Sequence, residues 1–194
     1  MPTTIKEAIK QWEQREGKKP EEATEVKLIG MRPPIERMDE NLNVFEACTK
    51  LSLSSNNIER VIALPKLRNL QILSLGRNNI KRIIGLDDFG ATLEELWISY
   101  NQIEKLDGLG QCNKLRVLFI SNNRINNWGE VQKLSQLPAI SSVLLKGNPI
   151  YTSLQAEKKE EELHAMVLKR VPQLEQIDCK TVGQAVRAAA ERLE

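Results

Sequence analysis

One pattern, L-x-x-L-x-L-x-x-N-x-I-x-x-L, recurs along the chain and constrains it more than any other feature. It reads CTKLSLSSNNIERV from Cys48, LQILSLGRNNIKRI from Leu70, LEELWISYNQIEKL from Leu93 and LRVLFISNNRINNW from Leu115. A shorter copy, ISSVLLKGNPIY, starts at Ile140. The asparagines are Asn56, Asn78, Asn101, Asn123 and Asn148, with spacings of 22, 23, 22 and 25 residues (56→78→101→123→148). An irregular first copy lies at EVKLIGMRPPIERM, where Met31 replaces the asparagine and two prolines are inserted. Such a period means stacked units, none of which can bury its apolar face alone.

The residue types follow from that stacking. In L-x-L the side chains alternate, so the flanking Leu, Ile or Val points inward and the middle residue outward. Each copy supplies one short parallel strand, after which the chain must turn back. The bend leaves buried backbone groups, and an asparagine amide has the donors and acceptor to satisfy them. A second apolar pair, Ile80/Ile83 or Ile103/Leu106, fills the opposite wall. The predicted fold is therefore α/β: a leucine-rich-repeat solenoid of about six repeats of ~22 residues, with a short parallel sheet on one face.

Both raw ends of a solenoid need covers. Thr4 and Glu7 form a capping-box pattern, and Ile5, Ala8, Ile9 and Trp12 then share one helical face. Gly17 ends that helix, with Trp12 as the anchor of the cap. Near the other end, EKKEEELHAMVLKR is predicted helical, with Leu163, Met166 and Val167 on one face and Glu160–Glu162 solvated. VPQLEQID restates the opening of a repeat through Leu174 and Ile177. A last helix, TVGQAVRAAAERLE, aligns Val182, Ala185, Val186, Ala189 and Leu193, either to lie back on the domain or to meet a partner. The expected divisions are an N-terminal cap (1–24), repeats (25–155), a C-terminal cap (156–179) and a terminal helix (180–194).

Bulk properties narrow the function. A formal net charge of +2 is too close to neutral to predict nucleic-acid binding. No apolar run approaches a membrane span, and MPTTIKEAIKQW lacks the apolar core of a secretory signal. Cys48, Cys112 and Cys179 are widely spaced and lack a CxxC pair, pointing to a reducing cytosolic compartment with neither disulfide framework nor zinc site. His164, the one histidine, reads as a helix-surface or cap residue. None of the phosphate-loop, nucleophile-elbow or zinc-protease motifs occurs, so neither enzymatic activity nor a cofactor is expected.

Binding is the remaining class, and the outward strand positions indicate where. The middle of each L-x-L gives Ser52, Ser74, Trp97, Phe119 and Leu144. Parallel neighbours stack about 4.8 Å apart, so the last three form an apolar stripe. The position two residues earlier adds Ile72 and Val117, and the position before each asparagine adds Arg77 and Tyr100. Only 4% of residues are aromatic, so their gathering on one open face points to a protein-binding patch. Its members are Ile72, Arg77, Trp97, Tyr100, Val117, Phe119 and Leu144. Charge is also uneven: Arg60, Lys66, Arg68, Arg77, Lys81 and Arg82 occur in one stretch without an acid. That stretch reads either as ordinary turn charges or as a basic edge suited to an acidic surface.

At these residues the chain resembles the leucine-rich-repeat light chains of axonemal outer-arm dynein. The resemblance runs over roughly residues 3–180. It rests on LSLSSNNIERV, LQILSLGRNNIKRI, TLEELWISYNQIEKL and SNNRINNWGEV, together with TTIKEAI, MRPPIERMD, GNPIY and KRVPQLEQID. The non-consensus pieces LWISYNQIEKL and PPIE make it specific. The resemblance implies a non-catalytic subunit of a ciliary or flagellar motor. That subunit binds a dynein heavy chain near its microtubule-binding stalk tip, contacts tubulin and tunes the motor. It implies that Trp97, Tyr100 and Phe119 stand on the heavy-chain face, and that Arg187 and Arg192 of the terminal helix have a regulatory role. Neither a nucleic acid nor a membrane is an expected partner, and the isolated chain is expected to be monomeric. The competing reading is a regulatory or scaffold subunit of a phosphatase or of the spliceosome, which use similar short repeats.

Overall fold

The computed structural model describes residues 1–154 and 159–193. Glu157 and Lys158 of the predicted C-terminal helix, and Glu194, lie outside the described residues. Among the described residues, eight strands form one sheet in strict chain order. They are β1 (Glu25–Lys27), β2 (Lys50–Ser52), β3 (Ile72–Ser74), β4 (Glu95–Trp97), β5 (Val117–Phe119), β6 (Ser142–Leu144), β7 (Gln176–Ile177) and β8 (Lys180–Thr181). The first seven pair in parallel, and β8 returns antiparallel to β7. The leucine-rich-repeat solenoid is thus the observed architecture, and the Pro-interrupted first copy is a genuine rung.

The register stacks equivalent residues. Leu51, Leu73, Leu96, Leu118, Val143 and Ile177 form one buried file. Ile58, Ile80, Ile103, Ile125 and Ile150 line the opposite wall, all buried. Between the walls runs the asparagine ladder. Asn101 donates from Nδ2 to the carbonyls of Leu75 in the previous turn (3.0 Å) and Ile98 in its own (3.1 Å), and its Oδ1 accepts from the Ile80 amide (2.9 Å). Asn78 and Asn123 repeat this arrangement. Asn56 accepts from both the Met31 and Ile35 amides, bridging the proline insertion where copy one has no asparagine of its own.

The caps follow the chain's local chemistry. Helix α1 (Ile5–Glu16) has the Thr4/Glu7 capping box and ends at Gly17 in the left-handed region. Ile5, Ala8, Ile9 and Trp12 are buried, and Trp12 meets Phe45 edge-on at 5.4 Å between ring centroids. Arg15 donates from Nη2 to the Lys27 carbonyl at the open edge of β1 (2.9 Å). Two short helices, α2 (Trp128–Lys133) and α3 (Pro149–Thr152), shorten the path around the last repeats.

The C-terminal cap is built from α4 (Glu160–Arg170) and α5 (Gln184–Arg192). Helix α5 packs on α4 with Val186 buried, and Lys169 Nζ bonds the Leu193 carbonyl, which settles its placement in favour of lying back on the domain. Ala185 of the predicted apolar face is nonetheless exposed, as are Arg187 and Arg192.

Of the two places expected for His164, helix surface or cap, the structure shows the cap. It is buried rather than at the helix surface, and its Nε2 lies 3.2 Å from Asp178 Oδ2. The chain turns back at Asp178 and Cys179, both at positive φ, so β7 ends early. The Asp178 carboxylate then occupies the place of the missing strand carbonyl: Oδ1 accepts from the amides of Leu145 (2.7 Å) and Lys146 (3.0 Å). Burial raises the Asp178 pKa, but the hydrogen bonds from His164 and the two amides outweigh it and hold the carboxyl below its ordinary value of 3.8.

Two outcomes follow from this architecture. Asn101→Ala leaves the buried Ile80 amide unpaired and removes one of the two amide donors to each of the Leu75 and Ile98 carbonyls, which Asn78 and Asn123 still serve. Stability is therefore expected to fall by about 2 kcal/mol and the melting temperature by roughly 4–8 °C, read by calorimetry. A depressed folded pKa means that the stability Asp178 contributes is complete above the ordinary carboxylate range and is lost as pH falls through the folded value. Asp178→Asn is therefore expected to lower stability at neutral pH and to flatten the stability–pH curve below about pH 4, measured by urea unfolding across the acid range.

Candidate protein-binding site

The outward positions of β3 to β6 form the candidate site. Trp97 of β4 pairs in register with Phe119 of β5, which pairs with Leu144 of β6. Parallel register places the rings side by side, and Trp97 stacks on Phe119 with centroids 5.9 Å apart and planes 20° from parallel. Trp97 remains 39% exposed and Tyr100 49% exposed, so no cap covers them. Ile72, Val117, Phe119 and Leu144 are half-buried against their neighbours.

The second outward column differs from a continuous apolar row. Glu95 stands between Ile72 and Val117 in register. Its carboxylate accepts from Trp97 Nε1 (3.1 Å) and lies 3.5 Å from Arg116 Nη2. Glu95 therefore fixes the indole plane, a positioning role that reading single columns does not reveal. Ile72 looks instead toward the N-terminal half of the face. There it joins Trp97 and Ile29 around a groove of about 320 Å³ whose floor carries Ser52, Ser54 and Ser74. These hydroxyls satisfy one another, Ser54 Oγ lying 2.8 Å from Ser74 Oγ. Ile29, 46% exposed, went unremarked in the sequence. It occupies the place of Ser54 in the irregular copy, and that substitution was the available signal.

Backbone conformation singles out two further members. The residue before each ladder asparagine is left-handed: Ser55, Arg77, Tyr100 and Asn122 have φ between 52° and 58°. Glycine serves at the equivalent positions of the first and last copies, Gly30 and Gly147. At Gly147, with φ of 80°, a Cβ would also come within 2.4 Å of Asn122 Oδ1, so the Asn122 side chain would have to move aside. Elsewhere a side chain in this region costs of order 1 kcal/mol. Arg77 and Tyr100 are held there nonetheless, and the Arg77 guanidinium lies 4.5 Å from the Tyr100 ring centroid. The strained backbone aims both along the rim of the sheet face.

The basic stretch does not form one edge. Arg77 belongs to the sheet-face rim, as just described. Lys66 and Arg68 lie on the return loop, where Lys66 pairs with Glu46 at 2.8 Å and Arg68 bonds the Pro65 carbonyl. Arg60, Lys81 and Arg82 occupy the flank just past the asparagine turn. All are exposed. Cys48, Cys112 and His164 are buried in packed surroundings. Burial pushes the Cys48 and Cys112 thiols up to about 11, so neither is a thiolate nucleophile near neutrality. His164 is engaged with Asp178 inside the C-terminal cap. No cluster of metal-ligating side chains occurs among the described residues.

Comparison with known proteins matches this architecture at two levels. A family model for leucine-rich repeats (2 copies) covers residues 91–138, the stretch that carries Trp97, Tyr100 and Phe119. Over 176 residues the chain is 49% identical to the dynein axonemal light chain 1 of Chlamydomonas reinhardtii, covering 91% of this chain and 89% of that one. The chain belongs to the dynein axonemal light chain 1 family. The human protein of that name is likewise 49% identical over 91% of each chain. Among solved structures, a chain of the Drosophila melanogaster SNF/U2A′ complex superposes with a TM-score of 0.58 at 21% identity, covering 73% of this chain and 79% of that one. An internalin C2 from Listeria monocytogenes gives a TM-score of 0.55 at 27% identity over 71% of this chain and 54% of its own. The solved structures share the repeat fold, whereas the light chain 1 family shares sequence over 91% of the chain.

Proposed function

We propose that this chain is a non-catalytic light chain of axonemal outer-arm dynein, located in the axoneme of cilia or flagella. It grips a dynein heavy chain near the microtubule-binding stalk through its sheet face and tunes the contact between motor and microtubule. The observation that carries the proposal is the exposed Trp97–Phe119 stack at the centre of an open sheet face. It lies in a chain 49% identical to named axonemal dynein light chains. Monomeric proteins rarely leave a contiguous aromatic patch open without a partner. Each aromatic ring buries roughly 150–250 Å² when covered, and Trp and Tyr are the types that dominate binding energy. Ile72, Val117 and Leu144 extend the apolar contact, while Arg77 and Tyr100 supply a polar rim.

A second surface is assigned to the microtubule. Arg60, Lys81 and Arg82 are exposed and take part in no ion pair among the described residues, which suits them to an acidic surface. Arg187 and Arg192, exposed on α5, are the regulatory charges of this reading. The alternative, a phosphatase or spliceosomal scaffold, is supported by likeness of fold alone, as with the 21% identical SNF/U2A′ chain.

Trp97→Ala or Phe119→Ala is expected to weaken binding to a recombinant heavy-chain stalk fragment by about 30-fold or more, with an unchanged circular dichroism spectrum. Full affinity in both variants overturns the assignment of the face. Reversing Arg60, Lys81 and Arg82 to glutamate is expected to reduce pelleting of the light chain–stalk complex with microtubules, most strongly at low salt. Unchanged pelleting removes these residues from the interface.

A further inference from the structure

The repeat places one cation in the same position on four successive turns. Counting from the second apolar wall, Arg37 follows Ile35 by two residues, Arg60 follows Ile58, Arg82 follows Ile80 and Lys105 follows Ile103. Those isoleucines are stacked and buried, so the four cations form a file along one flank, away from the sheet face. All four are exposed. None of them makes an ion pair or a side-chain hydrogen bond among the described residues. This contrasts with Lys66, Lys133 and Lys180, which are each paired with an acid.

Stacking like charges one rung apart is unfavourable unless an anion lies along them. The acids nearest in sequence do not neutralise the file. Glu36, Glu59 and Glu104 precede Arg37, Arg60 and Lys105, but no carboxylate among them is paired with a ladder cation. On the third rung the preceding residue is Lys81, so that rung carries two cations. The flank thus carries five cations (Arg37, Arg60, Lys81, Arg82, Lys105) against four acids (Glu36, Glu59, Glu104, Asp107), of which Asp107 is already paired with Lys133. Its field reaches neighbouring groups: the Asp107 carboxyl is lowered first by its hydrogen bond to Lys133, and Lys105 and Arg82 add to the effect.

The surface beside the file has shape as well as charge. A groove of about 430 Å³ lies between the rungs of Arg37 and Arg60, and one of about 540 Å³ lies between those of Arg82 and Lys105. Ile62 lines the first together with Glu36 and Glu59, and Ile84, 38% exposed, lines the second together with Glu104 and Asp107. Three intervals of about 4.8 Å give the file a length of at least about 14 Å, the reach of four or five extended residues, of which two or three side chains point to one side.

We propose that this flank binds an extended acidic peptide segment of a partner protein, its carboxylates facing Arg37, Arg60, Arg82 and Lys105 and its apolar side chains entering the grooves beside Ile62 and Ile84. An extended chain suits a straight file because alternate side chains point the same way. The inference deepens the basic-surface part of the proposed function by adding Arg37 and Lys105 and by naming the partner's chemistry. It does not involve Trp97 or Phe119.

The test uses the full chain and a fluorescein-labelled deca-glutamate peptide, read by anisotropy at low salt, with a ten-nucleotide oligouridylate as the second probe. The triple variant Arg37→Glu/Arg60→Glu/Arg82→Glu is expected to lose at least ten-fold in peptide affinity. A control with the same net charge change, Lys10→Glu/Arg68→Glu/Lys114→Glu, is expected to lose less than three-fold. Trp97→Ala is expected to bind the peptide as the parent does. Arg37→Gln/Arg60→Gln/Arg82→Gln, which avoids introduced repulsion, is expected to lose at least three-fold and guards against misfolding of the reversed variant. Equal losses in the ladder and control variants overturn the proposal, as does tighter binding of the oligouridylate than of the peptide. Because the assay contains neither heavy chain nor microtubule, its failure is separate from failure of the motor reading.

Discussion

The solenoid depends on a buried side-chain amide on each of five successive turns, Asn56, Asn78, Asn101, Asn123 and Asn148. A coil that leaves a strand, bends and returns through its own interior must bring polar backbone inside, and unpaired groups there cost about 1–3 kcal/mol each. Asn101 shows the solution: one amide serves two turns at once, donating to Leu75 and Ile98 and accepting from Ile80. The bond to the previous turn is what fixes rung to rung. Once that spacing is held, the apolar files are in register, and so is every exposed column, including Trp97, Phe119 and Leu144.

That register explains which parts of the molecule were legible in the sequence. The period of about 22 residues announces the stacking, and the asparagines, the alternation and the Thr4/Glu7 box each have a local cause that the residues display. The sheet face was readable for the same reason: equivalent positions of successive copies become neighbours. The basic stretch from Arg60 to Arg82 was misleading for the converse reason. Residues close along one turn point to different sides, whereas Arg60 and Arg82, 22 positions apart (60→82), share a column. In a solenoid the neighbour in space is one period away.

What stayed illegible depended on irregular backbone. The burial of His164 follows from the tight turn at Asp178 and Cys179, two residues without glycine's freedom that nonetheless adopt positive φ. No local pattern marks that turn, so the fourteen-residue separation of His164 and Asp178 gave no sign of their contact. Glu95 was hidden differently. Its column and that of Trp97 are each plain, but the hydrogen bond that joins them crosses from one column to the next. The strained backbone at Arg77 and Tyr100 is likewise a property of geometry. It marks them as residues held at a cost in a place where Gly30 and Gly147 do the structural work unaided.

The two ends of the stack use opposite chemistry. At the first strand an arginine, a pure donor, takes up the exposed Lys27 carbonyl. At the other end an ionised aspartate, a pure acceptor, takes up the amides of Leu145 and Lys146, and β8 folds back beside it. An asparagine at either place would present both a donor and an acceptor, and so leave a hand extended to a further turn. A stack of repeats is in principle a polymer, and its bare edge is a template for any passing strand. At the first end Arg15 occupies one carbonyl of β1, and at the other the turn at Asp178 reverses the chain so that the last strand, β8, runs against the parallel stack.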